Sequence, residues 1–266
     1  VTLDLGSAMR HAREVLGYQH VVLLGWSGGG SLSAFYQSQA ERPTVTSSPC
    51  GGGPDLTQAS LPPADALIMM AAHVSRHGTL TEWLDASVID ECNPTLRDAS
   101  LDLYGGEIKP PFDDAFLVRY HEAQLARNRK ITSLVKNKLA ALIDAGREHE
   151  EFAFVTHGTM ADPRWLDPRV DPNDRAPGTC YLGDPRIANN GPVGLARFCT
   201  LRSWLSQWSY DDANACGPTS LRRVTVPVLV VGNSADDACT PQHTDRLFEA
   251  IGHTRKAMVN IQGANH

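Results

Sequence analysis

The chain has 266 residues, 42% of them apolar and 20% charged, enough to bury one large core with room for an appended lobe. Its formal net charge of −6 leaves no surplus of Lys and Arg for the phosphates of a nucleic acid or for an anionic bilayer. No apolar run reaches the roughly eighteen residues a membrane-spanning helix needs, so a small-molecule substrate is expected, with no nucleic-acid or membrane partner and no basis for assigning an oligomeric state.

Val1 is neither an initiating methionine nor part of a basic-then-apolar leader, and a cytoplasmic location is the expectation. Leu5 to Leu16 reads as an amphipathic helix with Ala8, Ala12, Val15 and Leu16 inward. Gly17 ends it, and the run His20-Val21-Val22-Leu23-Leu24 has the pattern of a parallel strand covered on both faces. Gly25-Trp26-Ser27-Gly28-Gly29-Gly30 follows at once, then a helical segment from Ser31 to Ala40. Cys50 to Asp55 reads as a turn before a helix. Ala66 to Ala72 is a second apolar strand.

From about His77 to Arg223 the rhythm changes. Helical patterns cover Asp113 to Asn128 and Ile131 to Glu148, a loop rich in Asp, Pro and Gly covers Asp162 to Pro192, and an apolar-aromatic helix is expected over Leu195 to Trp208. A crossover of this length is far outside the usual range, so 77–223 is read as a helical cap inserted into a core formed by 1–76 and 224–266. Within the core, Val226 to Val231, Pro241 to Ile251 and Ala257 to Ile261 give strand, helix, strand, a parallel βαβ unit. The fold class is α/β.

A serine hydroxyl attacks a carbonyl only when a base takes its proton and donors stabilise the oxyanion. Gly25-Trp26-Ser27-Gly28-Gly29 is a GxSxG motif with a strand before it and a helix after it, the context that makes Ser27 a nucleophile on a strained elbow. Gly25 and Gly29, two residues either side, are expected to admit the neighbouring chain segments. Phosphate cradling is disfavoured, because neither GxxxxGK[ST] nor GxGxxG spacing is met.

With this elbow, the sequence resembles the α/β-hydrolase family of esterase- and lipase-like serine hydrolases. The resemblance implies an acid turn and a histidine loop in the order Ser, Asp, His. Gly232-Asn233-Ser234-Ala235-Asp236-Asp237-Ala238-Cys239-Thr240-Pro241, after the penultimate strand, looks like the acid turn, and Gly263-Ala264-Asn265-His266, after the last, looks like the histidine loop. His266 is thereby the general base. Members with a doubled aspartate, as in prolyl oligopeptidase-like proteins, use the first of the pair and favour Asp236, whereas counting back four from the proline selects Asp237. Asp236 is preferred and Asp237 is the alternative.

The family's reaction implies an acyl-enzyme on Ser27, with the backbone N–H of Gly28 as one oxyanion donor. The second donor would come from a loop after an early strand, which this sequence does not contain. Only 26 residues precede Ser27 and the chain stops at His266, so the resemblance covers about the C-terminal two-thirds of such a domain. Poor stability in isolation is the corresponding expectation.

The expected reaction is hydrolysis of a carboxylic ester or related acyl bond, without cofactor or metal. The alternatives are a non-catalytic ligand-binding protein of the same fold, or another acyl or carbon–carbon bond hydrolase. Trp26 and Trp208 are candidate substrate-wall residues. The stripe Phe198, Leu201, Trp204 and Trp208 has the spacing of a core face. His73 and His77 are four apart but lack the Glu of HExxH, which makes a polar pair at a strand end the preferred reading over metal ligation. The six cysteines, Cys50, Cys92, Cys180, Cys199, Cys216 and Cys239, fall without CxxC pairs, and most are read as buried thiols, with one bridge, for example involving Cys180 or Cys216, as the alternative in an exported parent.

Overall fold

A computed structural model describes residues 1–266. The chain divides into two compact units, one formed by Val1–Arg76, Asn173–Arg175 and Asn214–His266, the other by His77–Pro172 and Ala176–Ala213.

The first unit is built on a parallel sheet of four strands, β1 (Val22–Ser27), β2 (Ala66–Ala72), β3 (Val228–Asn233) and β4 (Lys256–Ile261), which lie side by side in chain order. Parallel neighbours must be joined by crossovers, which place helices over the sheet faces. Those in the crossovers are α2 (Gly28–Glu41), α3 (Gly217–Leu221) and α4 (Pro241–Ala250), while α1 (Thr2–Arg10) precedes β1. Leu67, Met69, Val228 and Val230 from the sheet pack with Ala34 of α2, Leu221 of α3 and Leu247 and Ala250 of α4 in one buried core. Because every strand runs the same way, all four carboxyl ends lie along one edge, the edge at which open α/β sheets bind ligands.

Several elements differ from the sequence reading. The N-terminal helix buries Gly6 and Met9, with Met9 against Tyr36, Leu61 and Ala64. Ala8, Val15 and Leu16 are exposed. The α-helix ends at Arg10 and continues as a π-helical turn over His11–Val15, whose wider period carries the side chains off the apolar stripe. Strand β1 runs on through Trp26 to Ser27, and it is not covered on both faces. Val22, Leu24 and Trp26 are each about half exposed while Gly25 is buried, because β1 is an end strand of the sheet and its alternate side chains point to opposite faces. Cys50 to Asp55 forms turns with no helix after them. Residues 214–223, placed in the insertion by the sequence reading, belong to the first unit, since the Gly217 N–H donates to the Val74 carbonyl at 2.7 Å and Leu221 is fully buried in its core.

The second unit centres on one helix, Asp114–Asp144, in place of the two helices expected from the pattern. Nothing between Asn128 and Ile131 breaks a helix, since Arg129 and Lys130 are good helix formers. The Asp113 side chain caps its start by accepting from the Phe116 N–H at 2.7 Å. Tyr120, Gln124, Arg127, Ile131, Val135, Leu139 and Leu142 form its buried face. The loop from Asp162 to Pro192 contains two short helices, Pro163–Leu166 and Pro185–Asn190. The expected helix over Leu195 to Trp208 is in fact a short strand, Phe198–Thr200, followed by the helix Leu201–Gln207. Thr200 and Ser203 form a reciprocal cap at that junction, which fixes where the helix begins.

Candidate active site

The site is assembled at the carboxyl ends of β1, β2, β3 and β4. Ser27 ends β1 and has φ 55° and ψ −128°, a backbone conformation that an L-residue holds only when its surroundings enforce it. Close approach behind it supplies that enforcement. A Cβ on Gly25 would stand 2.5 Å from the Gly29 carbonyl oxygen and 2.7 Å from the Gly30 Cα, and one on Gly30 would stand 2.3 Å from the Ala72 Cβ. Gly29, expected to be the second required glycine, has nothing within 4 Å of the corresponding position. The helix that follows is pressed against β2 through Gly30, not Gly29.

The turn after β3 and the loop after β4 are tied together residue by residue. The Ser234 N–H donates to the Ile261 carbonyl at 3.0 Å, the Ala235 N–H to the Ala264 carbonyl at 2.9 Å, and the Asn233 side chain to the Asn265 carbonyl at 2.6 Å. The Ser234 hydroxyl accepts from the Gly263 N–H at 2.9 Å and donates to the Asp174 carboxylate at 2.6 Å. His266 is therefore delivered to a defined place by backbone bonds and not by its own side chain alone.

There the His266 Nε2 lies 2.9 Å from the Ser27 Oγ, and its Nδ1 lies 3.1 Å from both Asp236 carboxylate oxygens. A carboxylate can only accept, so Nδ1 carries the proton and Nε2 offers its lone pair to the serine hydroxyl. Asp236 is fully buried, and its Oδ1 also accepts from the N–H groups of Ala238 at 2.8 Å and Cys239 at 2.7 Å. Those bonds offset the cost of burying the carboxylate. Asp237 is the next residue on the turn. Burial, followed by the charge of Asp236, pushes it up to about 6, with His266 and Arg175 pulling the other way.

Gly28 is the first residue of α2, and an N–H in the first turn has no carbonyl four residues back to bond. It is thus free of the helix ladder, directly after Ser27. Trp26 is 55% exposed, and its ring stacks on that of His266 with centroids 5.4 Å apart. Trp208 is buried within the second unit, where its carbonyl accepts from the Asn128 side chain at 2.9 Å.

Two residues that the motifs did not single out for the site also stand in it. His73 follows β2, its N–H donates to the Ser27 carbonyl at 3.0 Å, and its Nδ1 is 3.2 Å from the Cys239 Sγ. The His73 and His266 ring centroids are 5.8 Å apart. The signal was present in the topology: residues just past the carboxyl ends of neighbouring parallel strands become spatial neighbours. His77, paired with His73 on spacing, lies in the second unit and stands edge-on to Tyr210.

No family model matches the sequence, and no curated protein matches it. Among solved structures the chain is similar to the monoacylglycerol lipase of Paleococcus ferrophilus (15% identity, TM-score 0.41), to an alpha/beta fold family hydrolase from Bacillus anthracis str. Sterne (13%, 0.38) and to the proline iminopeptidase of Mycobacterium smegmatis (14%, 0.38). In each case all of this chain is covered, against 66%, 67% and 65% of the other. The chain thus spans about two-thirds of the length of these structures. Its own geometry defines the class. A parallel sheet with a serine elbow after one strand, an acid turn after another and a histidine after the last is the α/β-hydrolase fold.

Proposed function

We propose that the protein is a serine hydrolase that cleaves a carboxylic ester or related acyl bond, with Ser27 as nucleophile, His266 as general base and Asp236 as the residue that orients and stabilises the imidazole. The reading is carried by one observation, the unbroken series from the Ser27 Oγ through the His266 ring to the buried Asp236 carboxylate, on a serine held at φ 55°. In the proposed reaction the Ser27 oxygen bonds to the acyl carbon as Nε2 takes its proton, and the N–H of Gly28 stabilises the oxyanion. Collapse of the tetrahedral adduct expels the alcohol, which leaves with the proton from Nε2. Water then repeats the sequence on the acyl-enzyme and frees the acid.

The unit His77–Pro172 with Ala176–Ala213 is proposed as the helical cap of this hydrolase, selecting a sizeable and partly apolar acyl substrate. Trp26, beside the base, is the proposed substrate-wall residue. No helix is long and apolar enough to cross a membrane, and a small molecule is the proposed partner.

A fluorophosphonate probe tests the assignment. Stoichiometric labelling at Ser27, lost in Ser27→Ala together with p-nitrophenyl ester hydrolysis, is the expected result. A folded protein that does not label, or a Ser27→Ala variant that keeps most of its activity, overturns it and favours a ligand-binding role.

A further inference from the structure

The acyl-transfer reaction uses no thiol, yet Cys239 is buried within the site. To the acid turn it gives its backbone N–H, which any residue would supply. Its side chain instead faces His73: Sγ and Nδ1 are 3.2 Å apart, and both residues are almost fully buried. His266 completes the group, with the ligand atoms of His73, Cys239 and His266 all within 4.8 Å of one another. None of the six cysteines is in a disulfide, so Cys239 keeps its thiol.

One thiolate and two imidazoles are the donor set of borderline and soft divalent cations. Tetrahedral zinc, with bonds of about 2.0–2.3 Å, sets its ligand atoms roughly 3.3–3.8 Å apart. The Cys239–His73 edge, at 3.2 Å, opens only slightly to reach that range, and the edges to His266, at most 4.8 Å, close by about an ångström through side-chain rotation. His73 and Cys239 are carried on segments fixed by main-chain bonds, His73 to Ser27 and Cys239 to Asp236, so two of the three ligands are held in place before any ion arrives.

We propose that His73, Cys239 and His266 form an inhibitory site for zinc-class divalent cations. On binding, the Cys239 thiol gives its proton to solvent and the thiolate, His73 and His266 each donate an electron pair to the ion. Ligation through either His266 nitrogen disables the base: at Nε2 it occupies the pair that receives the serine proton, and at Nδ1 it moves the ring proton to Nε2 and displaces the Asp236 contact. Binding of the ion stands by itself, whereas its effect on turnover rests on the hydrolase reading above.

Cadmium titration of the whole chain reads the site without reference to activity. A saturable thiolate-to-cadmium charge-transfer band in the ultraviolet at one equivalent is expected for the wild type and for Ser27→Ala. Cys239→Ser should lose the band, and His73→Gln should weaken binding at least about tenfold. In parallel, zinc in a chelator buffer should inhibit ester hydrolysis reversibly, each protein being compared with its own metal-free rate. Cys239→Ser should then require at least about tenfold more free zinc. No saturable band in the wild type, a band unchanged by Cys239→Ser, or a band unchanged by His73→Gln overturns the proposal, and His73→Gln carries the test if Cys239→Ser does not fold. A protein that neither labels with fluorophosphonate nor hydrolyses esters, but shows the Cys239-dependent band, upholds the metal site and removes the hydrolase reading.

Discussion

The indole of Trp26 lies over the imidazole of His266, the ring centroids 5.4 Å apart and the planes inclined by 29°. Trp26 comes from β1 and His266 from the loop after β4, so this stack joins the two ends of the sheet's site edge. It limits rotation of the ring that must bridge Ser27 and Asp236. It also places an aromatic face beside a group that turns cationic in the proposed transition state, an interaction worth about 0.5–1 kcal/mol where solvent is near. Trp26→Ala should therefore lower kcat by roughly threefold to fivefold, and Trp26→Phe should recover most of it. Single-turnover rates on an activated ester, in which acylation is isolated, provide the measurement. An unchanged acylation rate in Trp26→Ala would remove the stack from the chemistry and leave Trp26 to substrate contact alone.

Asp236 and Asp237 are adjacent on the same turn, and the His266 Nδ1 lies 3.1 Å from both oxygens of Asp236. Asp236→Asn should cost several orders of magnitude in kcat, because an amide beside Nδ1 no longer fixes the tautomer. Asp237→Asn should cost far less. The second carboxylate should reveal itself in stability instead. Its folded value of about 6 lies above its ordinary 3.8, so the folded state holds a proton there that the unfolded chain has already released. That contribution is fully present below pH 4 and is lost as the pH rises through about 6. Asp237→Asn should thus flatten the decline in stability between about pH 4 and 6, as read by denaturant titrations across that range. A decline of equal slope in wild type and variant would assign the pH dependence to other groups.

Arg127 is a heavily committed cation of the second unit. Its guanidinium donates to both oxygens of Glu91, at 2.7 and 2.9 Å, and to the carbonyls of Asp85, Gly158 and His157 at 3.0, 2.9 and 2.6 Å. The side chain is 3% exposed. Arg127→Ala would leave a largely buried carboxylate and several carbonyls without donors, a loss of about 3–5 kcal/mol. Arg127→Lys should recover only part of this, since an ammonium cannot reproduce the planar fork. Thermal or denaturant unfolding measures both, and a loss below about 1 kcal/mol in Arg127→Ala would show that water replaces the missing donors.

The parts of this molecule legible in its sequence are those encoded locally. An apolar run, a glycine turn and a helix around Ser27 are contiguous, and so are strand, acid turn and helix around Asp236. What the sequence hid depends on partners distant in the chain. Burial of only one face of β1 follows from its position at the end of the sheet, which no local pattern records. The unbroken helix Asp114–Asp144 has a polar interruption at Arg129 and Lys130 that resembles a loop on periodicity alone. The Cys239–His73 contact joins residues 166 positions apart, and neither belongs to a motif with a fixed spacing.

The glycines of the elbow give the sharpest contrast between motif and structure. The GxSxG pattern marks Gly29 as required, whereas a Cβ there meets nothing within 4 Å, and Gly29 has no positive φ. Gly29→Ala should be accepted, and because alanine is the better helix former it should raise stability by up to about 0.5–1 kcal/mol. Gly30 lies outside the motif. A Cβ at Gly30 would come within 2.3 Å of the Ala72 Cβ and 3.3 Å of the Ala72 Cα, far inside van der Waals contact, and both belong to elements locked into the core. Relief requires α2 to move off β2. Such overpacking costs about 1–3 kcal/mol, and since α2 begins at Gly28, directly after Ser27, the shift would also carry the serine away from His266. Gly30→Ala should accordingly lower both the thermal midpoint and the rate of fluorophosphonate labelling, while Gly29→Ala lowers neither. The reverse ranking of the two variants, measured side by side in the same buffer, would show that the motif position and not the helix–strand contact sets the geometry of the elbow.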